Sequence, residues 1–386
     1  MEQKLRSGYT TGLCAAAAAK AAAFMLWGEE NRKTTEVTAK NGETVSLLIE
    51  NRGKTGNRTG CCVRKDAGDD PDVTDQALIW AWAEPVKESP LPQWYTNEDY
   101  PGIYIEGGKG IGRVTRPGLS CPVGKAAINP VPREMIWEAV EEVRRILKRD
   151  EPVLVTVEIP EGEELAKKTF NPKLGITGGL SVLGTTGIVK PMSEEALIAT
   201  IHLEIHMKAV EGDTYLVLTP GNYGENFLKQ QFGLSLEHGV KYSNFIKDTV
   251  KFMADEGFSR GLLIGHVGKL IKAAGGAENT HSRFGDNRME TILQCVEESG
   301  KIGTQEKNRD YRDRILESNT TEEAVCYLES LGIRRRVGDY GARLLQKQIL
   351  TWTEGRLLMD VIMFSNELGI FGEAVVADGK MDEVIT

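Results

Sequence analysis

From Cys14 to Trp27 the chain reads CAAAAAKAAAFMLW, a run that is nearly all alanine. Alanine is the strongest helix former and offers almost no side chain to pack, so the stretch is predicted as a helix that admits close approach of another backbone or a flat ligand. Thr10 or Thr11 can cap it, because a hydroxyl there accepts from the first free backbone amides. With basic residues ahead of it, the segment superficially resembles a secretory signal, but Lys20 interrupts it and alanine is a poor membrane residue. No charge-free apolar run reaches the roughly 20 residues that a bilayer span requires. The expectation is a cytoplasmic protein without a membrane segment.

Over 386 residues, 47 Lys and Arg stand against 56 Asp and Glu, a formal net charge of −9. That balance excludes a general nucleic-acid binder, whose phosphate contacts need clustered cations. The charge is unevenly spread. No carboxylate occurs from Gln3 to Gly28, Gly107 to Arg133, Leu165 to Ser193 or Gly257 to Ala277, yet each stretch holds lysines or arginines. Clearing acids from such segments suits an anionic ligand, which a nearby carboxylate would repel. The 42 glycines exceed the usual share and are expected in loops. The cysteines, Cys14, Cys61, Cys62, Cys121, Cys295 and Cys326, lack CxxC spacing and are expected as reduced, mostly buried thiols.

The first part of the chain reads as mixed α and β. Asn41-Gly42 is a hairpin turn between β-branched runs, strands are expected near Ile79 to Ala83 and in VLVTVEIP, and GIYIEGGKGIGRVT is a strand entering a glycine loop. In PREMIWEAVEEVRRILKRD, Ile136, Val140, Val143 and Leu147 recur at three- and four-residue spacing, an amphipathic helix. Near Pro191 the texture changes. Ser193 caps a helix to about Val210, followed by strand Tyr215 to Thr219, turn PGNYG, a helix, strand Gly261 to Gly265 and helix Lys269 to Ala274. Strand, glycine turn and helix in alternation describe a parallel α/β sheet. The predicted architecture is an α+β domain with a mixed sheet over 1–190, then a Rossmann-like α/β domain with a mostly parallel sheet over 191–386.

Several segments carry candidate chemistry. Pro220, Gly221, Asn222, Tyr223 and Gly224 follow a hydrophobic strand and precede a helix, where backbone amides and a helix dipole can meet a ligand; a plain tight turn would also account for them. LGITGGLSVLGTTGIVKP is dense in glycine and threonine but lacks the GKS or GKT of a phosphate-binding loop. KDAGDDPDVTD fails the calcium-loop template. Its aspartates can cap turns and a helix start at Val73, hold magnesium, or include a general base. His202 and His206 share a helix face in HLEIH, which is not the HExxH of a zinc site. His281, Arg283, Asp286 and Arg288 cluster beyond Gly275-Gly276, within reach of proton transfer and carboxylate binding, unless they form an ordinary polar loop.

Taken in order, RSGYTTGLCAAAAAKAA, KDAGDDPDVT, VTRPGLSCPVGKAAINPVPR, TFNPKLGITGGLSVLGTTGIVKPMSEEA, TPGNYG and GHVGKLIKAAGG with NTHSR resemble the signatures of the cobalt-precorrin-5B C-1 methyltransferase family of anaerobic cobalamin biosynthesis. The matches run from about residue 6 to 288. Leu13 stands where the family has threonine, and Asn287 where it has glycine.

The resemblance implies methyl transfer from S-adenosylmethionine to C-1 of cobalt-precorrin-5B, giving cobalt-precorrin-6A. It implies a flat macrocycle fringed with acetates and propionates, and no metal held by the protein, since cobalt arrives in the substrate. On it, Gly221, Asn222 and Gly224 hold the methyl donor, with Gly184, Thr185, Thr186 and Gly187 closing the cleft. Thr10, Thr11, Arg113, Arg116, Arg133, Lys269 and Arg283 face the macrocycle, and Asp70 or His281 is the base. Handover of the product to another pathway enzyme and a homo-oligomer are compatible with it. A non-catalytic tetrapyrrole carrier would bind the macrocycle but not S-adenosylmethionine, and a nucleotide-dependent phosphotransferase would bind ATP.

Overall fold

Strand β1 (Gly8–Tyr9) leads directly into the alanine helix, α1 (Thr11–Leu26). The Thr10 hydroxyl caps the helix by accepting from the Leu13 amide at 3.2 Å. The computed structural model describes residues 5–28, 32–233, 239–300 and 310–376. The chain divides into two compact units, Met1–Ser193 and Glu194–Thr386.

In the first unit a hairpin, β2 (Thr34–Thr38) and β3 (Thr44–Leu48), is followed by β4 (Asn51–Thr55), β5 (Arg58–Arg64), β6 (Leu78–Pro85), β7 (Ile103–Gly107) and β8 (Arg113–Val114). Next come α2 (Pro130–Leu147), β9 (Val153–Glu158), α3 (Gly162–Ala166), β10 (Ile176–Thr177) and β11 (Ile188–Val189). The main sheet has the order β4-β5-β6-β9-β7, antiparallel except for the parallel β7/β9 pair. Helix α1 packs against β5, β6 and α2. Ala15 to Ala19 are at most 1% exposed, so the flat-ligand alternative for this helix falls away. Its small side chains serve backbone approach: the Thr59 hydroxyl of β5 donates to the Ala22 carbonyl at 3.1 Å. Lys20, the one charge in the run, is buried, with its ammonium donating to the Glu36 carbonyl at 2.7 Å and pairing with Glu142 at 2.6 Å. A buried charge is tolerated only with such partners. Ala18→Leu is expected to cost about 1–3 kcal/mol by chemical denaturation, because the surroundings leave no room for added carbons.

The acidic loop corrects one expectation. No helix begins at Val73; residues 73–76 form a turn, with Gln76 at φ 63°.

The second unit opens with α4 (Glu194–Glu211), β12 (Tyr215–Thr219) and α5 (Asn222–Phe232), then β13 (Gly239–Lys241), α6 (Ile246–Asp255), β14 (Arg260–His266) and α7 (Val267–Ala274). It continues through α8 (Arg288–Glu298), α9 (Asp310–Leu316), α10 (Thr321–Ser330), α11 (Arg334–Trp352), β15 (Leu358–Ser365) and β16 (Gly369–Ala374). Its sheet has the order β13-β12-β14-β15-β16; the first three pairings are parallel and the β15/β16 edge is antiparallel. Parallel strands are covered on both faces, which explains why β14 and β15 are almost continuously apolar and buried. The chain is thus mixed α and β, with a mixed sheet in each unit. No helix among the described residues is long and apolar enough to cross a membrane.

Candidate functional site

In the first unit, segments far apart in sequence converge around β1. Gly8 and Tyr9 pair with Val189 and Ile188 of β11. The Tyr9 amide donates to the Asp66 carbonyl at 2.7 Å, and the Thr10 amide to the Gly187 carbonyl at 2.9 Å. Thr10 and Thr11 are buried, and Thr185 and Thr186 are exposed. Gly184 lies against Thr10: a Cβ there would sit 2.4 Å from the Thr10 hydroxyl oxygen, and its φ of +136° also demands glycine.

The five aspartates of the acidic loop have separate occupations. Asp66 takes a forked contact from Arg6 at 2.6 and 2.8 Å, which with the Gly68 amide holds its carboxyl below the usual carboxylate range. Asp69 accepts from the Arg6 amide at 2.6 Å, and Asp75 from the Ala67 amide at 2.9 Å. Asp72 meets Lys65, which is 1% exposed and also donates to the Thr74 hydroxyl at 2.6 Å. Burial pushes the Asp72 carboxyl up, but Lys65 and Thr74 outweigh it and leave it below the ordinary value. Asp70 accepts from the Met192 amide at 2.9 Å. Among the described residues, no group of His, Cys, Asp or Glu is arranged to hold a metal ion.

The cations of the Gly107 to Arg133 stretch differ in their surroundings. Arg113 is held by Glu106 at 2.9 Å and by the Gly107 carbonyl at 3.1 Å. A counter-charge one residue outside the acid-free stretch therefore occupies it, which the linear sequence does not reveal. The Arg116 side chain packs over Gly175. Arg133 lies over the Tyr95 ring, its guanidinium carbon 4.1 Å from the centroid.

In the second unit, the turn after β12 and the start of α7 after β14 lie at the carboxyl ends of parallel strands. The turn after β12 starts α5 at Asn222, whose side-chain oxygen Oδ1 accepts from the Lys241 ammonium at 2.9 Å. Gly224 is required there, since a Cβ would lie 1.8 Å from the Thr219 hydroxyl oxygen, whereas a Cβ on Gly221 meets nothing within 4 Å. Lys269 is half-buried, donates to the Ser243 carbonyl at 3.3 Å, and has its pKa lowered by burial. Arg283 pairs with Glu194 and lies 4.6 Å over the Phe284 ring. His281 accepts from the Arg283 amide on Nδ1 at 3.2 Å. Asn287 ties the loop to α7, its amide donating to the carbonyls of Lys272 at 3.2 Å and Gly275 at 3.1 Å.

A cluster that sequence reading missed joins β14, β15 and α10. His266 Nε2 meets Glu322 at 2.6 Å, its Nδ1 accepts from the Gly268 amide at 3.0 Å, and Glu322 also accepts from the Ser365 hydroxyl and, at 2.9 Å, from the Asn366 amide. The donors lie 43 to 56 residues from Glu322, so no local pattern reveals them. Burial raises the Glu322 carboxyl, and the hydrogen bonds from Ser365, Asn366 and His266 bring it below the usual value. A carboxyl depressed on folding adds stability above its unfolded pKa and loses it as pH falls through the folded one. The stability gap between wild type and Glu322→Gln is therefore expected to be full at neutral pH and to shrink below about pH 4 in denaturation series.

Two family models match the chain: CbiD over residues 1–191, and the CbiD C-terminal domain over 279–375. The chain is 42% identical to a cobalt-precorrin-5B C(1)-methyltransferase of Ruminiclostridium cellulolyticum, over 94% of its own length and 90% of that protein. It is 38% identical to a protein of the same name from Alkaliphilus metalliredigens, over 99% of this chain and 96% of that one. A crystal structure of the cobalamin biosynthesis protein cbiD from Archaeoglobus fulgidus is 26% identical, with a TM-score of 0.38 over 70% of this chain and 80% of that one. The segments gathered around β1 all fall inside the first family match, and similarity extends along nearly the whole of both relatives, so the chain belongs to the CbiD family.

Proposed function

We propose that this chain methylates C-1 of cobalt-precorrin-5B in cobalamin biosynthesis, with S-adenosylmethionine as donor and cobalt-precorrin-6A as product. The observation that carries the reading is full-length similarity to proteins named for that methylation. It is an enzyme of the methyltransferase class.

The donor's place on this reading is the carboxyl end of the parallel strands in the second, Rossmann-like unit. Gly221 leaves open space where α5 begins, which fits a ligand approaching the backbone. Asn222 and Gly224 shape the same turn. When bound, S-adenosylmethionine supplies a methyl that is already electrophilic, so the protein's tasks are to align the ring carbon and exclude water. No protein nucleophile is needed, and the buried thiols are unsuited to the part: burial pushes Cys14 and Cys295 up to about 12. Arg116, Arg133, Lys269 and Arg283 are the proposed partners of the substrate carboxylates. Of the two candidate bases, His281 commits its Nδ1 lone pair to the Arg283 amide, which puts the neutral ring's proton on Nε2 and makes it a donor. Asp70 is the better base. Calorimetry tests the donor assignment: S-adenosylmethionine and S-adenosylhomocysteine are expected to bind and ATP not to, and binding of ATP alone would overturn it.

A further inference from the structure

Lys125 and Arg133 share one aromatic platform. The Lys125 ammonium lies 4.8 Å from the centroid of the Tyr95 ring, and the Arg133 guanidinium carbon 4.1 Å from it. Tyr95 is 2% exposed and fixed by its hydroxyl, which donates to the Ala126 carbonyl at 2.6 Å. The platform is therefore rigid.

Two cations on one ring repel each other, and among the described residues no carboxylate pairs with either. Among the described residues Lys125 donates only to the Trp94 carbonyl, at 2.9 Å. The Nε–H of Arg133 is buried and meets no acceptor among the described residues. A buried donor without a partner is a standing cost that a bound acceptor would remove. The neighbouring acids are engaged elsewhere: Glu106 holds Arg113 at 2.9 Å, and Glu134 turns to Lys40 at 3.2 Å. Arg133 sits in the first turn of α2, which contains no acid, so the positive end of the helix adds to the same field. Both residues are partly exposed, which leaves the cations reachable.

We propose that Lys125 joins Arg133 in a seat for one carboxylate of the macrocyclic substrate, with the Tyr95 ring holding both cations ready. This rests on the reading above that the ligand is a polycarboxylate tetrapyrrole. Lys125 is thereby assigned a binding role, and Tyr95 a positioning one.

Absorption titration of the full chain tests the seat with two probes: a cobalt corrin bearing free acetate and propionate side chains, and the same corrin fully methyl-esterified. Lys125→Gln and Arg133→Gln are each expected to weaken the acid by about tenfold or more, as loss of a charge-assisted hydrogen bond does. Affinity for the ester should stay within about twofold in both, which also shows that the variants fold, and Lys125→Arg should keep most of the affinity for the acid. Wild-type affinity of both Gln variants for the acid would overturn the seat and leave the tetrapyrrole reading standing. Failure of the wild-type chain to bind either probe would overturn that reading and the seat with it.

Discussion

Gly221→Trp is expected to weaken S-adenosylmethionine binding by at least about a hundredfold while leaving the fold intact, since filling the proposed donor seat would exclude the whole ligand instead of removing one contact. The position suits the experiment. Its φ of 167° is extended backbone open to any residue, and an added Cβ meets nothing within 4 Å. The stability change should stay below about 0.5 kcal/mol, as at other surface sites without special contacts. Gly224, three residues on, is the wrong place for such a test, because its Cβ would strike the Thr219 hydroxyl oxygen at 1.8 Å and the turn itself would shift. Unchanged donor affinity in a folded Gly221→Trp protein, read by calorimetry, would place the donor elsewhere.

Lys65→Met is expected to destabilise the first unit by about 3 kcal/mol, the lower end of the range for breaking a buried pair by removing one partner. Lys65 is almost fully buried, but the Asp72 side chain keeps 27% of its exposure and so recovers some hydration when orphaned. The sign with pH comes from the depressed Asp72 carboxyl. The pair contributes fully above the unfolded pKa, and the gap between wild type and variant should close as pH falls through the folded value in urea titrations. Methylation should fall too, since the same loop holds Asp70, the proposed base.

The second unit was legible where its chemistry is local. Tyr215 to Thr219, with Pro220 and two glycines directly after it, can hardly be anything but strand, turn and helix, and β12 and α5 lie there. Much of the chain beyond residue 290 was not legible: LMDVIMFS is an apolar run that helix and strand periodicity describe equally, and only its pairing with β14 makes it the strand β15. In the first unit the alanine run announced a helix, but not which of two neighbours it admits. That depended on Thr59, 37 residues away from Ala22. The acidic loop was the hardest to read. Five aspartates in ten residues suggested metal, capping or catalysis, and the choice turned on Arg6, Lys65 and Met192, two of them far outside the segment. Charge arithmetic along the chain likewise found the cation-rich stretches but not which cations have spatial partners: Arg113 has Glu106, whereas Lys125 and Arg133 share a ring.

The central claim meets its most direct test in mass spectrometry of cobalt-precorrin-5B incubated with the purified chain and S-adenosylmethionine carrying an isotopically labelled methyl. The expected result is a gain of one labelled methyl in place of hydrogen, located at C-1 by nuclear magnetic resonance and absent when S-adenosylmethionine is withheld. A macrocycle that binds but returns unmethylated, or carries the label at another carbon, would contradict the account.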